Sequence, residues 1–268
     1  MKLWNVERIR TSTYEKKMAC VTVSDYTSAK LADAAGFPLL LVGDSLGMTA
    51  LGFSSTLPVT LEMMLHHTAA VVRGVSDALV VADMPFLTYQ ISISEGIRNA
   101  GRFLQEAGAE AVKIEGGAIR AELVSAFTQN GIPVLGHIGL TPQSVNQMGG
   151  YRVQGRTPSS AEQLIQDACL LEQAGAFGIV LECIPPDVAE TITASLNIPT
   201  IGIGAGPGCD GQILVMNDLL GLSSQPPAKF VKPYASLAKT MQEAFATYIQ
   251  EVQDGTFPSA EHCYARIS

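Results

Sequence analysis

The sequence predicts one α/β domain folded as a (β/α)8 TIM barrel, a closed ring of eight parallel strands with helices outside it. Short runs of apolar residues, typical of strands buried on both faces, alternate with amphipathic stretches typical of helices. Eight such runs fall within 268 residues, which suits one barrel of roughly 250 residues. No linker or low-complexity segment divides the chain, so residues 1–268 are predicted to form a single domain.

The predicted strands and helices follow one another in regular order. The strands are predicted at residues 19–23, 37–42, 79–82, 109–114, 133–135, 176–181, 200–203 and 213–215. Amphipathic stretches between most of them predict helices at residues 27–35, 61–74, 94–107, 118–130, 161–174 and 186–196. A last helix at about residues 236–252 and a polar tail complete the chain.

Three segments repeat one plan, in which a helix ends at a glycine and a short apolar strand then leads to a carboxylate. The pairs are Gly36 with Asp44, Gly108 with Glu115 and Gly175 with Glu182, at spacings of 8, 7 and 7 residues. This repeat supports a series of βα units in one parallel sheet.

Composition and charge limit the classes of function that the chain could have. Hydrophobic residues make up 47% of the chain and charged residues 16%, which favours a large core. A net charge of −8 argues against nucleic acid or an anionic membrane as partner. The five cysteines form no CxxC pair, and no apolar run approaches the roughly 18 residues of a membrane helix. We therefore expect a cytoplasmic protein.

Four acidic residues follow predicted strands: Asp44, Asp83, Glu115 and Glu182. The carboxyl-terminal ends of barrel strands meet at one face, where converging carboxylates repel one another unless a cation lies among them. Oxygen ligands suit Mg²⁺ better than zinc. Any one of these residues could instead cap the next helix, but four at equivalent positions favour a metal site.

Two further features lie near the predicted strand ends. Lys113 should point into the barrel, because side chains alternate along a strand and both of its neighbours are apolar; the alternative is a lysine that extends to solvent at the rim. His137 also follows a predicted strand. The glycine-rich segment 202–208 lacks both the dinucleotide fingerprint and a Walker lysine, which favours a tight turn over phosphate binding.

Seven sequence motifs follow one another along the chain. They are Val-Gly-Asp-Ser-Leu-Gly-Met at 42–48, Ala-Asp-Met-Pro-Phe at 82–86, Val-Lys-Ile-Glu-Gly-Gly at 112–117, Gly-His-Ile-Gly-Leu-Thr-Pro-Gln-Ser at 136–144, Gly-Gly-Tyr-Arg-Val-Gln-Gly at 149–155, Leu-Glu-Cys at 181–183 and Ile-Gly-Ile-Gly-Ala-Gly at 201–206. Together they closely resemble the ketopantoate hydroxymethyltransferase family, over about residues 14–262. One motif alone would be weak, whereas seven with compatible spacing are very specific.

The resemblance implies a barrel of the phosphoenolpyruvate mutase and isocitrate lyase kind, assembled as a homodecamer. It implies transfer of a hydroxymethyl group from 5,10-methylenetetrahydrofolate to 3-methyl-2-oxobutanoate, giving 2-dehydropantoate for pantothenate synthesis. In such enzymes the residues that match Asp44 and Asp83 bind one Mg²⁺ per subunit, and the residue that matches Glu115 supports the metal directly or through water.

The resemblance also implies how the substrate is held and deprotonated. Substrate contacts are expected from Asp44, Ser45, Asp83 and Lys113, and catalysis from Glu182; a substrate contact from His137 is expected from its place near a strand end instead. A 2-oxo acid can chelate Mg²⁺, Ser45 and Lys113 would hold its carboxylate, and Glu182 would take the C3 proton to leave a metal-stabilised enolate.

The chain departs from the family at one motif, since it has Thr-Val-Ser-Asp at 22–25 where the family usually has Thr-Ala-Tyr-Asp. Ser24 cannot make the contacts of a tyrosine hydroxyl, and Asp25 is expected near the mouth of the barrel.

Two alternative functions remain beside the transferase. The first is a C–C lyase of the same superfamily, which would carry a Lys-Lys-Cys-Gly-His-type loop that the sequence lacks. The second is an inactive scaffold or ligand sensor, which would have lost Lys113 or a metal carboxylate, whereas this sequence retains them.

Overall fold

The computed structural model describes residues 2–11, 16–223 and 226–267. The chain divides into two compact units, Met1–Met216 and Asn217–Ser268. In the first unit, eight parallel strands close a barrel in sequential order, and the last strand pairs with the first. The predicted barrel is thereby confirmed, whereas the single domain over residues 1–268 stays a prediction.

The predicted strands and helices are all present, with bounds that differ by a few residues. The strands are β1 (Met18–Thr22), β2 (Leu39–Val42), β3 (Leu79–Asp83), β4 (Ala111–Glu115), β5 (Val134–Gly139), β6 (Gly178–Glu182), β7 (Thr200–Ile203) and β8 (Gly211–Val215). The α-helices are α1 (Val6–Thr11), α2 (Tyr26–Ala34), α3 (Leu46–Thr49), α4 (Leu61–Gly74), α5 (Ile93–Gln105), α6 (Ala121–Gln129), α7 (Val145–Met148), α8 (Pro158–Gln173), α9 (Pro186–Ser195), α10 (Met216–Leu219) and α11 (Leu237–Gln253).

Apolar side chains fill the amino-terminal part of the barrel. The buried cluster is formed by Ile9, Met18, Cys20, Leu39, Leu41, Leu79, Val81, Ala111, Leu135, Phe177, Val180, Ile201 and Ile213. Ile9 of α1 is fully buried among the first residues of β1, β2 and β3, so α1 closes this end of the barrel. Burying each large aliphatic side chain contributes about 1.5–3 kcal/mol.

The connection from β7 to β8 contains no helix, unlike the connections predicted between most strands. Residues 204–210 return directly to the start of β8. Gly206 has φ +77, and a Cβ added there would lie 2.6 Å from Pro186 Cβ of α9. The glycine-rich segment therefore packs closely against α9, and the chain turns at residues 207–208, within the predicted segment.

Strand register determines which side chains meet at the carboxyl-terminal mouth. Asp83 pairs with Lys113 across β3 and β4, and Glu115 pairs with His137 across β4 and β5. Because side chains alternate along a strand, Lys113 and Glu115 point to the same side as Ala111, which belongs to the buried cluster. The barrel interior thus changes from apolar to charged as it approaches the mouth.

The second unit contains α11, which carries five exposed apolar or aromatic side chains: Met241, Phe245, Tyr248, Ile249 and Val252. Within residues 2–11, 16–223 and 226–267, no helix combines the length and apolarity needed to cross a membrane.

Candidate functional site

Two aspartates lie next to each other at the mouth. Asp83 is the last residue of β3, and Asp44 lies two residues beyond the neighbouring β2. The Asp44 backbone N–H donates to Asp83 Oδ2 at 3.2 Å, and the residues are only 4% and 2% exposed. Burial and the nearby carboxylates raise the pKa of Asp44 well above its usual range. Burial also raises the pKa of Asp83, although Lys113 opposes the rise.

Lys113 supplies positive charge to this acidic cluster. Its Nζ lies 2.6 Å from Asp83 Oδ1 and 3.6 Å from Glu115 Oε1. Burial disfavours the ammonium, but the surrounding carboxylates outweigh burial and raise the pKa of Lys113. The lysine therefore points into the barrel, as predicted, rather than to solvent at the rim.

The line of charged groups continues through Glu115 and His137 to Glu182. His137 Nδ1 lies 3.5 Å from Glu115 Oε1, and His137 Nε2 lies 3.2 Å from Glu182 Oε2, although neither contact has hydrogen-bond geometry. Burial disfavours the imidazolium, but the two carboxylates raise the pKa of His137 to about 9. Burial also opposes ionisation of Glu115, yet Lys113 and His137 lower its pKa. His137 is therefore a cationic imidazole that lies between two carboxylates.

Gln143 joins the carboxylates of the site, although it was not among the predicted site residues. Its Nε2 donates to Asp44 Oδ2 at 3.0 Å and to the Met84 carbonyl at 2.9 Å. Its backbone N–H donates to Glu115 Oε2 at 3.0 Å, and its Oε1 accepts from the Tyr89 hydroxyl at 2.7 Å. Its membership of the motif at 136–144 was the one available signal. Gln143 therefore fixes two carboxylates at once.

Ser45 faces the same space as Asp83. A Cβ added at Gly43 would lie 3.1 Å from Ser45 Oγ and 3.9 Å from Asp83 Oδ2. Glycine at this position leaves that space open, and Ser45 is half-buried beside it. The hydroxyl is thus placed beside the acidic cluster.

Asp25 caps α2 and is exposed. Its Oδ1 accepts from the Thr27 and Ser28 backbone N–H groups at 2.8 and 2.9 Å. This carboxylate therefore caps the helix that follows β1, while its expected place near the mouth stays a prediction.

The carboxylates offer a donor set that fits a hard divalent cation. Asp44 and Asp83 are adjacent and buried, and Glu115 Oε1 is buried without a hydrogen bond in the described part of the chain. Carboxylate oxygens are the ligands that Mg²⁺ prefers. No three His, Cys, Asp or Glu side chains in the ranges that the structure describes are already arranged as a metal-binding group. Lys113 lies between Asp83 and Glu115 in this structure.

Comparisons with known proteins agree on one family. Residues 4–260 match the family model described as ketopantoate hydroxymethyltransferase. The chain is 56% identical over 249 residues to a 3-methyl-2-oxobutanoate hydroxymethyltransferase of Syntrophus aciditrophicus, covering 93% of this chain and 92% of that protein. It is 55% identical to the protein of the same name in Clostridium novyi, covering 93% and 90% of the two chains.

Solved structures with the same fold are more distant in sequence. A phosphonopyruvate hydrolase in complex with oxalate and Mg²⁺ aligns with a TM-score of 0.63 and 14% identity, over 98% of this chain and 93% of that one. A 2,3-dimethylmalate lyase, described as a member of the PEP mutase/isocitrate lyase superfamily, aligns with a TM-score of 0.61 and 19% identity, over 93% and 88% of the chains. These similarities confirm the predicted kind of barrel.

Proposed function

The chain belongs to the ketopantoate hydroxymethyltransferase family, and from that premise we propose that it transfers a hydroxymethyl group from 5,10-methylenetetrahydrofolate to 3-methyl-2-oxobutanoate. The products are 2-dehydropantoate and tetrahydrofolate, and one water supplies the hydroxyl oxygen. The observation that carries this proposal is the 56% identity to a 3-methyl-2-oxobutanoate hydroxymethyltransferase over nearly the whole of both chains. The charged line from Asp83 to Glu182 supports it.

We propose Asp44 and Asp83 as ligands of one Mg²⁺ per subunit, with Glu115 in support. Their burial and adjacency support this assignment, because like charges held together in a low-dielectric site favour binding of a cation. When bound, the cation would act as a Lewis acid toward the keto oxygen of the 2-oxo acid and make its C3–H more acidic. Asp44 and Asp83 would contact the substrate through that ion.

Lys113 and Ser45 would hold the substrate carboxylate. The raised pKa of Lys113 keeps the ammonium charged, and Ser45 Oγ borders the same space as Asp83. Two polar contacts to one carboxylate fix the orientation of the attached carbon chain, which is a positioning contribution to the rate.

Glu182 would take the proton from C3, and the electron pair of that C–H bond would form the enolate that attacks the one-carbon unit. Its side chain is 17% exposed, whereas that of His137 is 2% exposed, so Glu182 is the more accessible of the two to an entering substrate. His137, held between Glu115 and Glu182, would orient the base. Direct contact of His137 with the reactants stays a prediction.

The test is incubation of the purified chain with Mg²⁺, 3-methyl-2-oxobutanoate and 5,10-methylenetetrahydrofolate, followed by mass spectrometry. We expect 2-dehydropantoate with all three present, and exchange of the C3 hydrogen for deuterium when the folate is omitted. Absence of both reactions would contradict the proposed function, and cleavage of a 2-hydroxy or 2-oxo acid would favour a lyase.

The predicted homodecamer is tested separately, by measuring the molar mass of the protein in solution with light scattering.

A further inference from the structure

The side chains of Tyr151 and Met48 contact each other. Tyr151 Oη lies 3.9 Å from Met48 Sδ, and the two residues are 54% and 42% exposed. Met48 belongs to α3, which follows β2, whereas Tyr151 lies on the loop between α7 and α8. Two exposed side chains from distant parts of the sequence therefore make one contact.

This contact spans the mouth of the barrel. The Gln154 backbone N–H, three residues after Tyr151, donates to the Cys183 carbonyl at 2.9 Å, and Cys183 directly follows Glu182 at the end of β6. In the closed order of strands, β2 and β6 lie on opposite sides of the ring. The pair Tyr151–Met48 thus extends from the side of Asp44 toward the side of Glu182.

The Tyr151 side chain also lies within the electrostatic field of the site. Partial burial, together with the carboxylates of Asp44, Glu182 and Glu115, raises the pKa of its hydroxyl. Within the described ranges, the hydroxyl makes only the weak contact with the Met48 sulfur. Over half of the residue remains exposed although it adjoins the acidic cluster. The proposed substrate contacts leave this surface without a role.

We propose that Tyr151 and Met48 form the platform on which the flat heteroaromatic ring of the one-carbon donor lies. The inference rests on the proposed function, because it assigns residues that would bind the folate used in that reaction. Aromatic rings stack favourably in offset arrangements, and a thioether makes favourable contacts with aromatic rings. A ring lying on this platform would approach the carbon that Glu182 deprotonates, as transfer of the one-carbon unit requires.

The experiment compares three variants: Tyr151→Leu, Tyr151→Phe and Val153→Ala. Tyr151→Leu removes the ring, Tyr151→Phe keeps the ring without its hydroxyl, and Val153→Ala shortens an exposed side chain of the same loop. Three quantities are measured: the KM for 5,10-methylenetetrahydrofolate, the Kd for tetrahydrofolate by calorimetry, and C3 exchange in the absence of folate. The exchange reaction reports on the metal, the substrate contacts and the base alone.

We expect Tyr151→Leu to raise the folate KM and the tetrahydrofolate Kd by about tenfold or more, with exchange within about twofold of wild type. Tyr151→Phe and Val153→Ala should change the folate constants by less than about threefold. Unchanged folate constants in Tyr151→Leu would overturn the platform, as would an equal loss in Tyr151→Phe. Equal loss of exchange and folate affinity would also overturn it, because the residue would then shape the whole site. Absence of exchange and transfer in the wild type would instead refute the proposed function.

Discussion

Lys113 Nζ lies 2.6 Å from Asp83 Oδ1, and the two side chains are only 5% and 2% exposed. The register that pairs these residues across β3 and β4 brings them together, and alternation turns both into the barrel. The ammonium thereby compensates part of the negative charge of three buried carboxylates. Removing it should leave that charge unbalanced, because a buried carboxylate cannot recover its hydration.

Lys113→Met should lower the stability by about 3–5 kcal/mol, the cost of leaving a buried charge without its partner. Mg²⁺ should restore part of this loss, since a cation bound by Asp44 and Asp83 would balance the same carboxylates. The measurement is the Tm with EDTA and with saturating Mg²⁺. Lys239→Met, which removes a lysine from the exposed pair with Glu243, is the control and should change stability by less than about 1 kcal/mol. A Lys113→Met variant as stable as wild type would contradict this prediction.

Glu182→Gln should slow C3 hydrogen–deuterium exchange by about 10²–10⁴-fold, because glutamine keeps the shape of the side chain but cannot accept the proton. Substrate binding, measured by calorimetry with Mg²⁺ present, should change only a few-fold. Nuclear magnetic resonance follows the exchange directly in deuterated buffer. Exchange at the wild-type rate would remove Glu182 from the role of base.

Gln143→Leu should weaken Mg²⁺ binding about 10–100-fold, the usual effect of removing a partner that orients metal ligands. The change deletes the amide that donates to Asp44 Oδ2 and accepts from the Tyr89 hydroxyl. Calorimetric titration with Mg²⁺ measures the effect, and the dependence of kcat/KM on Mg²⁺ should shift in parallel. Gln129→Leu, on the exposed side of α6, provides the control. Equal Mg²⁺ affinity in both variants would show that Gln143 does not position the ligands.

Asp33→Ala should lower stability by about 1–2 kcal/mol at neutral pH. Asp33 accepts hydrogen bonds from the backbone N–H groups of Ser76, Asp77 and Ala78 at 2.8–3.3 Å. Although burial opposes ionisation, these bonds and Lys2 lower the pKa of Asp33. A carboxylate with a lowered folded-state pKa stabilises the fold above its unfolded pKa of about 3.9, and this contribution disappears as the pH falls further.

The Tm difference between wild type and Asp33→Ala should therefore be largest at neutral pH and should shrink as the pH falls below about 4. Asp33→Asn is the matched control, since it keeps an acceptor oxygen and should lose less stability than the alanine variant. A Tm difference that stays constant from neutral to acidic pH would contradict a role for the charge.

The barrel and its charged line could be predicted because both depend on simple periodicities. Apolar runs separated by helical stretches predict parallel strands, and carboxylates at equivalent ends must then share one mouth. Alternation also favoured an inward direction for Lys113. The sequence left open the alternative of a lysine that extends to solvent at the rim, and in the structure the ammonium instead lies closest to Asp83.

Gln143 and Tyr151 could not be predicted in the same way, because each acts through groups far away in sequence: Gln143 lies in a short 3-10 helix after β5 and Tyr151 on the loop before α8. Gln143 contacts Asp44, which lies 99 residues earlier, and Tyr151 contacts Met48, which lies 103 residues earlier. The close approach of Gly206 to Pro186 is a further contact of this kind. No local pattern encodes such contacts, so these features required the folded chain.

The most direct test of the central claim is a crystal structure of the chain with Mg²⁺ and 3-methyl-2-oxobutanoate bound. We predict one ion with carboxylate oxygens of Asp44 and Asp83 among its ligands, at the roughly 2.0–2.1 Å typical of Mg²⁺. The keto oxygen of the substrate should be a further ligand of the ion, with C3 facing Glu182. An ion bound elsewhere, or a substrate held with neither aspartate near its keto oxygen, would contradict the account.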